Sequence, residues 1–426
     1  MSDPATNENL REGRGERGDF GKDKGVGMKK GWQTKQLGEL AELKGRIGWR
    51  GLTAKEYTKE GPMFLSVHSL NYGDYVDFRD AFHISEERYV ESPEIMLQPN
   101  DVLICKDGAG IGKLGILGEL PDRATINSSL LLIRSGKHIL PKYLYRCLSS
   151  PYFQDIVQSR LNGATTPHLY QRDITEFPVV LPPLAEQQRI VGLLDEAFEG
   201  LVTAKANAEK NLQNARALFE SHLQSVFTQS GPGWVEKKVS EIAKHSLGKM
   251  LDKAKNKGEP QPYLRNINVR WFTFDLSDLL QMPFLPTEVE KYTAIKGDVL
   301  ICEGGYPGRA AIWDEDYPIY FQKALHRVRF HETELNKWFV YYLSVQDSSG
   351  QLKQHFSGTG IQHFTGEVLA RFPIPVPPLP ELRRAVAKFD ALSEQTQHLA
   401  LLYEQKLVAL EALKKSLLHQ AFTGAL

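Results

Sequence analysis

The sequence predicts an α+β fold: two similar α/β domains separated by two long antiparallel helices that form a coiled coil, with pseudo-twofold symmetry. Three observations support this prediction. The two halves of the 426-residue chain repeat one another. Each copy opens with short strand-like segments bounded by turn residues, and each copy ends in a proline-free run of about 40 residues.

The internal repeat is defined by residues that recur in the same order at one spacing. Gly163 and His168 recur as Gly358 and His363, which is a spacing of 195 positions. Further pairs at this spacing are Phe177/Phe372, Pro182/Pro377, Leu184/Leu379, Glu186/Glu381, Arg189/Arg384, Asp195/Asp390 and Phe227/Phe422. Upstream, Asp101–Cys105 matches Asp298–Cys302 at a spacing of 197, so insertions lie in the front of each copy. Ordered matches over this length indicate a duplication.

The repeat divides the chain into five predicted segments. The first is a flexible tail at residues 1–30, which is rich in glycine and charge and poor in large apolar residues. The others are a first globular domain at 31–183, a central long helix at 184–231, a second globular domain at 232–379 and a distal long helix at 380–426.

The front of each copy has the pattern of a mixed α/β globule. Short β-rich runs bounded by Gly, Pro, Asn and Asp predict strands at Phe64–Val67, Val102–Cys105, Leu114–Leu117 and Leu130–Ile133. The apolar spacing from Lys142 to Leu148, repeated from Lys337 to Leu343, predicts a half-buried helix.

The end of each copy predicts a long helix. A helix entrance is predicted at Pro182-Pro183 and at Pro377-Pro378. The N–H groups of the first helical turn have no partner within the helix, so proline, which has no N–H, is tolerated there. At about 1.5 Å per residue each helix would be roughly 60 Å long. Apolar residues in 4-3 spacing then predict a helix–helix seam. Its members are Leu194, Phe198, Leu201, Leu212 and Phe219 in the first run, and Phe389, Tyr403, Leu407, Leu410 and Leu417 in the second.

The junctions between globule and helix resemble those of the specificity (S) subunits of type I restriction-modification enzymes. The resemblance is carried by Gly163–Leu169 with Phe177–Val191, by Gly358–Arg384 and by the ending Leu417–Gly424. It covers nearly the whole chain from Gly31 onward. The second copy departs from the pattern, because Leu382 and Arg383 replace a glutamine pair and Pro380 is added.

This resemblance implies a non-catalytic, DNA-reading subunit. Its globules would be target-recognition domains that each read one half of a bipartite, asymmetric double-stranded DNA site. Its helices would bind modification (methyltransferase) and restriction (translocase/nuclease) subunits. No cofactor is expected in this chain, whereas S-adenosylmethionine, ATP and Mg are expected in the partner subunits.

Composition narrows the other possibilities. Lys plus Arg and Asp plus Glu are both 52, so the net charge is zero and any DNA-binding face must be local. The three cysteines form an odd set without C-x-x-C spacing, which favours neither disulfides nor a zinc site and fits a reducing cytoplasm. The sequence shows no apolar run long enough to cross a membrane and no secretion signal, so we expect a cytoplasmic protein with no membrane partner.

Candidate DNA contacts are chosen by donor and acceptor chemistry. Lys113 and Arg309, at the end of equivalent glycine-rich turns, are candidates for phosphate contacts. Candidates for base reading are Arg265, Asn266, Asn268 and Arg270 on a predicted strand, Ser66 and His68 at its counterpart, and the equivalent pair Asn127 and Gln322. For each base-reading candidate the competing interpretation is a turn cap or an ordinary surface position. Arg134 and Arg329 also correspond, as do His168 and His363, and the two histidines suit a structural role better.

Two other functions stay open at this stage. One is a coiled-coil scaffold that binds only protein. The other is a nucleotide hydrolase that uses Gly108–Lys113, although Asp107 and Leu114 occupy places where a phosphate-binding loop needs Gly and Ser or Thr. No motif for adenine methylation or metal-dependent hydrolysis occurs in the sequence.

Overall fold

The computed structural model describes residues 31–46, 52–161, 168–229, 231–252, 254–358 and 360–426. The predicted tail at residues 1–30 and most of the Gly163–Leu169 motif lie outside these ranges. The chain forms two compact units. The first contains the described residues up to Ala204 together with Ala409–Leu426, and the second contains Lys205–Val408.

Within the described residues the first unit contains nine strands, five short helices and part of each of two long helices. The strands are β1 Gln33–Gln36, β2 Ala41–Gly45, β3 Tyr57–Leu65, β4 Phe82–Ile84, β5 Val102–Cys105, β6 Leu114–Ile116, β7 Ala124–Ile126, β8 Leu130–Ser135 and β9 Pro178–Leu181. The helices are α1 Leu37–Leu40, α2 Glu86–Val90, α3 Pro141–Leu148, α4 Pro151–Leu161, α5 Gln171–Thr175 and the start of α6 Leu184–Thr228. Three of the four predicted strands and the predicted helix α3 occur, and the strand predicted at Phe64–Val67 is instead Tyr57–Leu65, because Val67 begins a 3-10 turn.

The second unit repeats this plan. Its strands are β10 Val235–Lys238, β11 Ala243–Leu247, β12 Glu259–Leu264, β13 Val269–Arg270, β14 Thr273–Phe274, β15 Leu280–Phe284, β16 Thr293–Ala294, β17 Val299–Cys302, β18 Ala310–Ile312, β19 Ile319–Phe321, β20 Leu325–Phe330 and β21 Pro373–Val376. Its helices are α7 Val239–Ile242, α8 Val289–Tyr292, α9 Glu334–Ser348, α10 Gly366–Arg371 and most of α11 Leu379–Thr423.

Sheet order confirms the duplication. A four-stranded sheet runs β2-β8-β5-β6 in the first unit and β11-β20-β17-β18 in the second. A terminal pair, β1-β9, recurs as β10-β21, and the sheet β4-β3-β7 corresponds to β15-β12-β19-β16. The central strands β5 and β17 carry the same sequence, Val-Leu-Ile-Cys, and all eight of these residues are buried. Such continuous apolar runs are typical of strands covered on both faces.

The two long helices each contain 45 residues and contribute a stretch to each unit. Within the second unit they run antiparallel, since Arg216 pairs with Glu404 at 2.8 Å while Phe227 and Phe389 have ring centroids 5.9 Å apart. The first unit shows the same direction, because Lys414 Nζ lies 5.2 Å from the Phe198 ring while Arg189 donates to the Leu426 carbonyl at 3.2 Å.

The predicted seam positions differ in burial. Leu194, Phe198 and Phe389 are buried. The remaining predicted seam residues are half-buried, namely Leu201, Leu212, Phe219, Tyr403, Leu407, Leu410 and Leu417. Helix α11 begins at Leu379, so the additional Pro380 stands in the first turn, where proline is tolerated.

Candidate nucleic-acid interface

In the first unit three loops meet at one end of the central sheet, and together they are called the first loop cluster. They are the turn Ser66–Asn71 after β3, the loop Asp107–Lys113 between β5 and β6, and the segment before α5 that contains His168. Lys113 Nζ donates to Asn71 Oδ1 at 2.7 Å, and His168 is hydrogen-bonded to Asp107. The Leu169 N–H donates to the Lys106 carbonyl at 2.9 Å, so the chain after His168 is anchored beside the loop.

The second loop cluster has the same construction from different side chains. It consists of Arg265–Arg270, Gly304–Arg309 and His363. Arg309 Nη2 donates to the Asn266 carbonyl at 3.0 Å, and Asn266 Nδ2 donates to the Gly304 carbonyl at 3.1 Å. The Phe364 N–H donates to the Glu303 carbonyl at 2.8 Å, as Leu169 does in the first unit.

Glycine permits the tight loops that bring these residues together. Gly108 and Gly112 have φ of 77° and 83°, and Gly305 and Gly308 have φ of 78° and 85°, values that other residues rarely adopt. The first loop joins two antiparallel strands. A phosphate-binding loop instead leads from a strand into a helix, so the hydrolase hypothesis lacks its structural context.

Several predicted DNA contacts are exposed in these clusters. His68, Lys113 and Arg270 have exposed side chains, whereas Arg309 and Asn266 are half-buried. Lys113 and Arg309 each hold the neighbouring turn with one donor. Lys113 has further N–H groups on Nζ, and Arg309 has further guanidinium N–H groups besides its buried Nε, so both residues are able to donate to phosphate oxygens.

The predicted strand through Arg265, Asn266, Asn268 and Arg270 is wrong. The strand β12 ends at Leu264, Asn266–Asn268 is a 3-10 turn, and β13 has only the two residues Val269 and Arg270. Asn268 is 1% exposed, accepts from the Arg265 N–H and donates to the Asp275 and Asp278 carbonyls. Its amide therefore supports the turn, and this residue is not available to bases.

Other candidates are also engaged in local structure. Ser66 is buried and caps its own turn by accepting from the His68 N–H. Arg265 forms an ion pair with Asp278 at 2.7 Å. Asn127 Oδ1 accepts from the Ser129 N–H at 3.1 Å. Gln322 is half-buried, and its backbone N–H donates to the Leu264 carbonyl.

The equivalent arginines Arg134 and Arg329 have a structural role. Each forms two hydrogen bonds to a carboxylate, Asp101 or Asp298, at distances from 2.6 to 2.8 Å. Both carboxylates are 1% exposed. A buried carboxylate requires such a partner, because an unpaired charge in the interior is strongly destabilising.

Two exposed tyrosines beside the clusters were missed by the sequence reasoning. Tyr170 packs edge-on against His168 with ring centroids 4.6 Å apart. Tyr306 lies under the Arg309 guanidinium at 4.1 Å. Aromatic and arginine side chains stack on bases and on one another, so the interleaving Tyr170/Arg172 and Tyr306/Arg309 was the available signal.

The clusters contain no activated nucleophile among the described residues. Cys105 and Cys302 lie at equivalent positions at the ends of β5 and β17, directly before the loops. Burial raises the pKa of Cys105 and raises the pKa of Cys302 to about 11, so both remain neutral thiols. Over the same ranges no group of three His, Cys, Asp or Glu residues is placed to hold a metal, and no helix is long and apolar enough to cross a membrane.

Comparisons with known proteins point to the specificity proteins of type I restriction-modification systems. A family model described as "type I restriction modification DNA specificity domain" matches residues 29–212 and again residues 232–407. The type I restriction enzyme MjaVIII specificity subunit of Methanocaldococcus jannaschii is 22% identical over 362 residues, which cover 79% of this chain and 81% of that protein.

Two solved structures share the fold. One comes from work on complex assembly and conformational transition of the type I restriction-modification system, with a TM-score of 0.74, 19% identity and coverage of 92% of this chain and 98% of that chain. The other is the HsdS subunit from Thermoanaerobacter tengcongensis, with a TM-score of 0.61, 19% identity and coverage of 94% and 98%.

Proposed function

The chain belongs to the type I restriction-modification DNA specificity family, and from that premise we propose that it recognises a bipartite, asymmetric double-stranded DNA site for a type I complex. The observation that carries the proposal is the pair of loop clusters. They share one architecture but differ in side chains, with His68 and Lys113 in one and Arg270 and Arg309 in the other. Two similar readers with different donors suit a site whose halves differ in sequence.

Within each cluster we assign two kinds of contact. Lys113 and Arg309 would contact DNA phosphates and position the duplex. The exposed His68 and Arg270 would read base edges, with the half-buried Asn266 beside Arg270. Arg270 donates to the Ile267 carbonyl and pairs with Asp275 at 3.5 Å in the free chain. It would exchange these partners for guanine, to which arginine donates two hydrogen bonds.

A specificity subunit is a non-catalytic component, and we propose that the chemistry of the complex belongs to its partners. Modification subunits would use S-adenosylmethionine, restriction subunits would use ATP and Mg, and this chain would hold neither cofactor. The exposed large apolar side chains of the long helices support partner binding, namely Leu193, Val202, Leu218, Leu401, Leu402, Val408 and Leu413.

The decisive experiment maps methylated adenines in DNA from cells that carry this chain with its modification and restriction subunits. We expect methylation at a split, asymmetric sequence motif. Arg270→Ala should relax specificity at one position of one half-site, at a cost of about 1–3 kcal/mol in discrimination. Methylation with no split motif would contradict the proposal.

Binding of the complex to target DNA at several salt concentrations tests the phosphate contact. Lys113→Ala should weaken binding to all sequences and reduce the slope of log affinity against log salt by about 1. The matched control is Lys137→Ala. This exposed lysine follows the far end of β8, whereas Ser129 at the near end of β8 accepts from the Lys106 N–H beside the first loop cluster. The absence of any salt-dependent DNA affinity would instead favour a scaffold that binds only protein.

A further inference from the structure

A cavity of about 570 Å³ lies in the second unit beside α9, and it is called the α9 cavity. A second cavity of about 400 Å³ adjoins it and shares Thr333, Asn336, Lys337 and Asp390. Both volumes fall within the usual range of ligand sites, about 300–1,000 Å³. Residues of the α9 cavity that matter here are Phe272, Lys296, Asp314, Lys337, Tyr341 and Asp390.

In the first unit a guanidinium occupies the corresponding place. Arg146 of α3 is 8% exposed and bridges two carboxylates, with Nη2 2.8 Å from Asp195 and Nη1 2.5 Å from Asp74. Its guanidinium also lies 4.6 Å from the Phe198 ring centroid. Burial alone would raise the pKa of Asp195, but the hydrogen bonds from Arg146 and Lys142 keep this pKa below its ordinary value.

The second unit has no arginine at the position equivalent to Arg146. Arg146 corresponds to Tyr341 and Asp195 to Asp390 at the repeat spacing of 195. Asp74 corresponds to Phe272 through the neighbouring turns. The Asp77 N–H donates to the Ser69 carbonyl, and the Asp275 N–H donates to the Asn268 carbonyl in the same way. Asp74 and Phe272 each lie three residues before that aspartate. Tyr341 donates to Asp390 Oδ1 at 2.6 Å, and the Phe272 ring lies 5.4 Å from the Tyr341 ring.

Two lysines, Lys296 and Lys337, and two aspartates, Asp314 and Asp390, line the cavity. Lys337 is paired with Asp390 at 2.7 Å, and Lys296 is paired with Asp316 at 2.8 Å. Asp314 is exposed and forms no hydrogen bond or ion pair within the described ranges, although its charge adds to that of Asp316 in raising the pKa of Lys296. Aromatic faces beside carboxylates suit a planar, weakly hydrated guanidinium better than a compact ammonium.

We propose that the α9 cavity binds a guanidinium group supplied from outside this chain, where the first unit supplies its own from Arg146. The group is either an arginine side chain of a partner protein or a small guanidino compound. Either source would contact Asp314 and Asp390 and lie against Phe272 and Tyr341. The inference does not depend on DNA recognition, because its test uses the full chain alone.

Saturation-transfer NMR on the full chain tests the site with ethylguanidine as the probe. Ethylamine is the matched control, since it has the same charge and chain without the planar group. We expect a saturable signal from ethylguanidine that is at least fivefold stronger than the signal from ethylamine. Equal signals from the two compounds, or no signal from either, would overturn the proposal.

Substitutions test whether the ethylguanidine signal arises from the α9 cavity. Phe272→Asp with Tyr341→Arg restores the arrangement of the first unit and should abolish the ethylguanidine signal. Leu280→Arg is the control, because it adds an arginine at an exposed position on β15 outside the cavity and should leave the signal intact. Asp314→Asn changes an exposed side chain without disturbing folding and should weaken the signal at least threefold. An undiminished signal in both cavity variants would overturn the assignment.

The same measurement on the assembled complex separates the two sources. If a partner arginine fills the cavity, the ethylguanidine signal seen with the free chain should disappear on assembly. If the natural ligand is a small guanidino compound, the signal should persist in the complex and be displaced by free arginine. Both results support a guanidinium site and differ only in the origin of the ligand.

Discussion

His326 shows how one buried residue makes stability depend on pH. It lies on β20 with 1% of its surface exposed, next to His245 of the paired strand β11. Burial, reinforced by the charge of His245, lowers the pKa of His326 to about 4. An unfolded histidine takes up a proton at about pH 6.5, so the unfolded chain gains protons first. The contribution of His326 is therefore complete above about pH 6.5 and is lost as pH falls toward 4.

The size of this effect can be measured by urea unfolding at pH 7.5 and pH 5.0. Linkage predicts that His326 accounts for a loss of about 2 kcal/mol at pH 5.0. His326→Gln, which cannot titrate, should show a correspondingly smaller loss between the two pH values. His331→Gln, at an exposed position in the same unit, should behave as the unaltered chain. An unchanged pH dependence in His326→Gln would contradict the argument.

At the level of elements, the long helices are held by a few aromatic contacts. Phe389 of α11 is fully buried, and its ring centroid lies 5.9 Å from Phe227 of α6, 6.1 Å from Trp338 and 5.2 Å from Tyr341. Removing such a side chain loses both its burial and its packing contacts. Seven of the ten predicted seam residues are only half-buried, so the seam alone does not account for the stability of the helix pair.

Phe389→Ala should lower the free energy of unfolding by about 3–5 kcal/mol. Val408→Ala on the same helix is the matched control, because Val408 is 72% exposed and its truncation should change stability by no more than about 0.5 kcal/mol. Chemical denaturation followed by far-UV circular dichroism measures both. Equal effects of the two substitutions would show that the seam is not the buried side of α11.

At the level of the whole molecule, the duplication makes each recognition unit separable. Residues 31–183 contain the first loop cluster and residues 232–379 the second. Under the proposed function, replacing 31–183 with the equivalent segment of another family member should change one half of the methylated motif and preserve the other. Altering the length of a long helix should instead change the gap between halves. Methylome sequencing reports both results, and a swap that changed both halves together would defeat modular reading.

The sequence by itself determined the duplication, the principal strands and the two long helices. These features depend on local rules: proline at a helix entrance, apolar residues at heptad spacing, and buried runs such as Val-Leu-Ile-Cys repeated at Val102 and Val299. The same local reasoning misplaced Asn268, since the polar-apolar alternation at Pro262–Arg270 is compatible with a turn as well as with a strand.

Only the tertiary structure decided which polar side chains are free. The side-chain amide of Asn268 donates to carbonyls seven and ten residues away and is not free to bind DNA. Lys113 instead keeps an exposed ammonium group beside Asn71, 42 residues distant. The pairing of Arg146 with Asp74 and Asp195, and its replacement at Tyr341, likewise depend on residues 72 and 49 positions apart. Hydrogen bonds and ion pairs act over a few ångströms in space, so their partners follow from the folded arrangement and not from spacing along the chain.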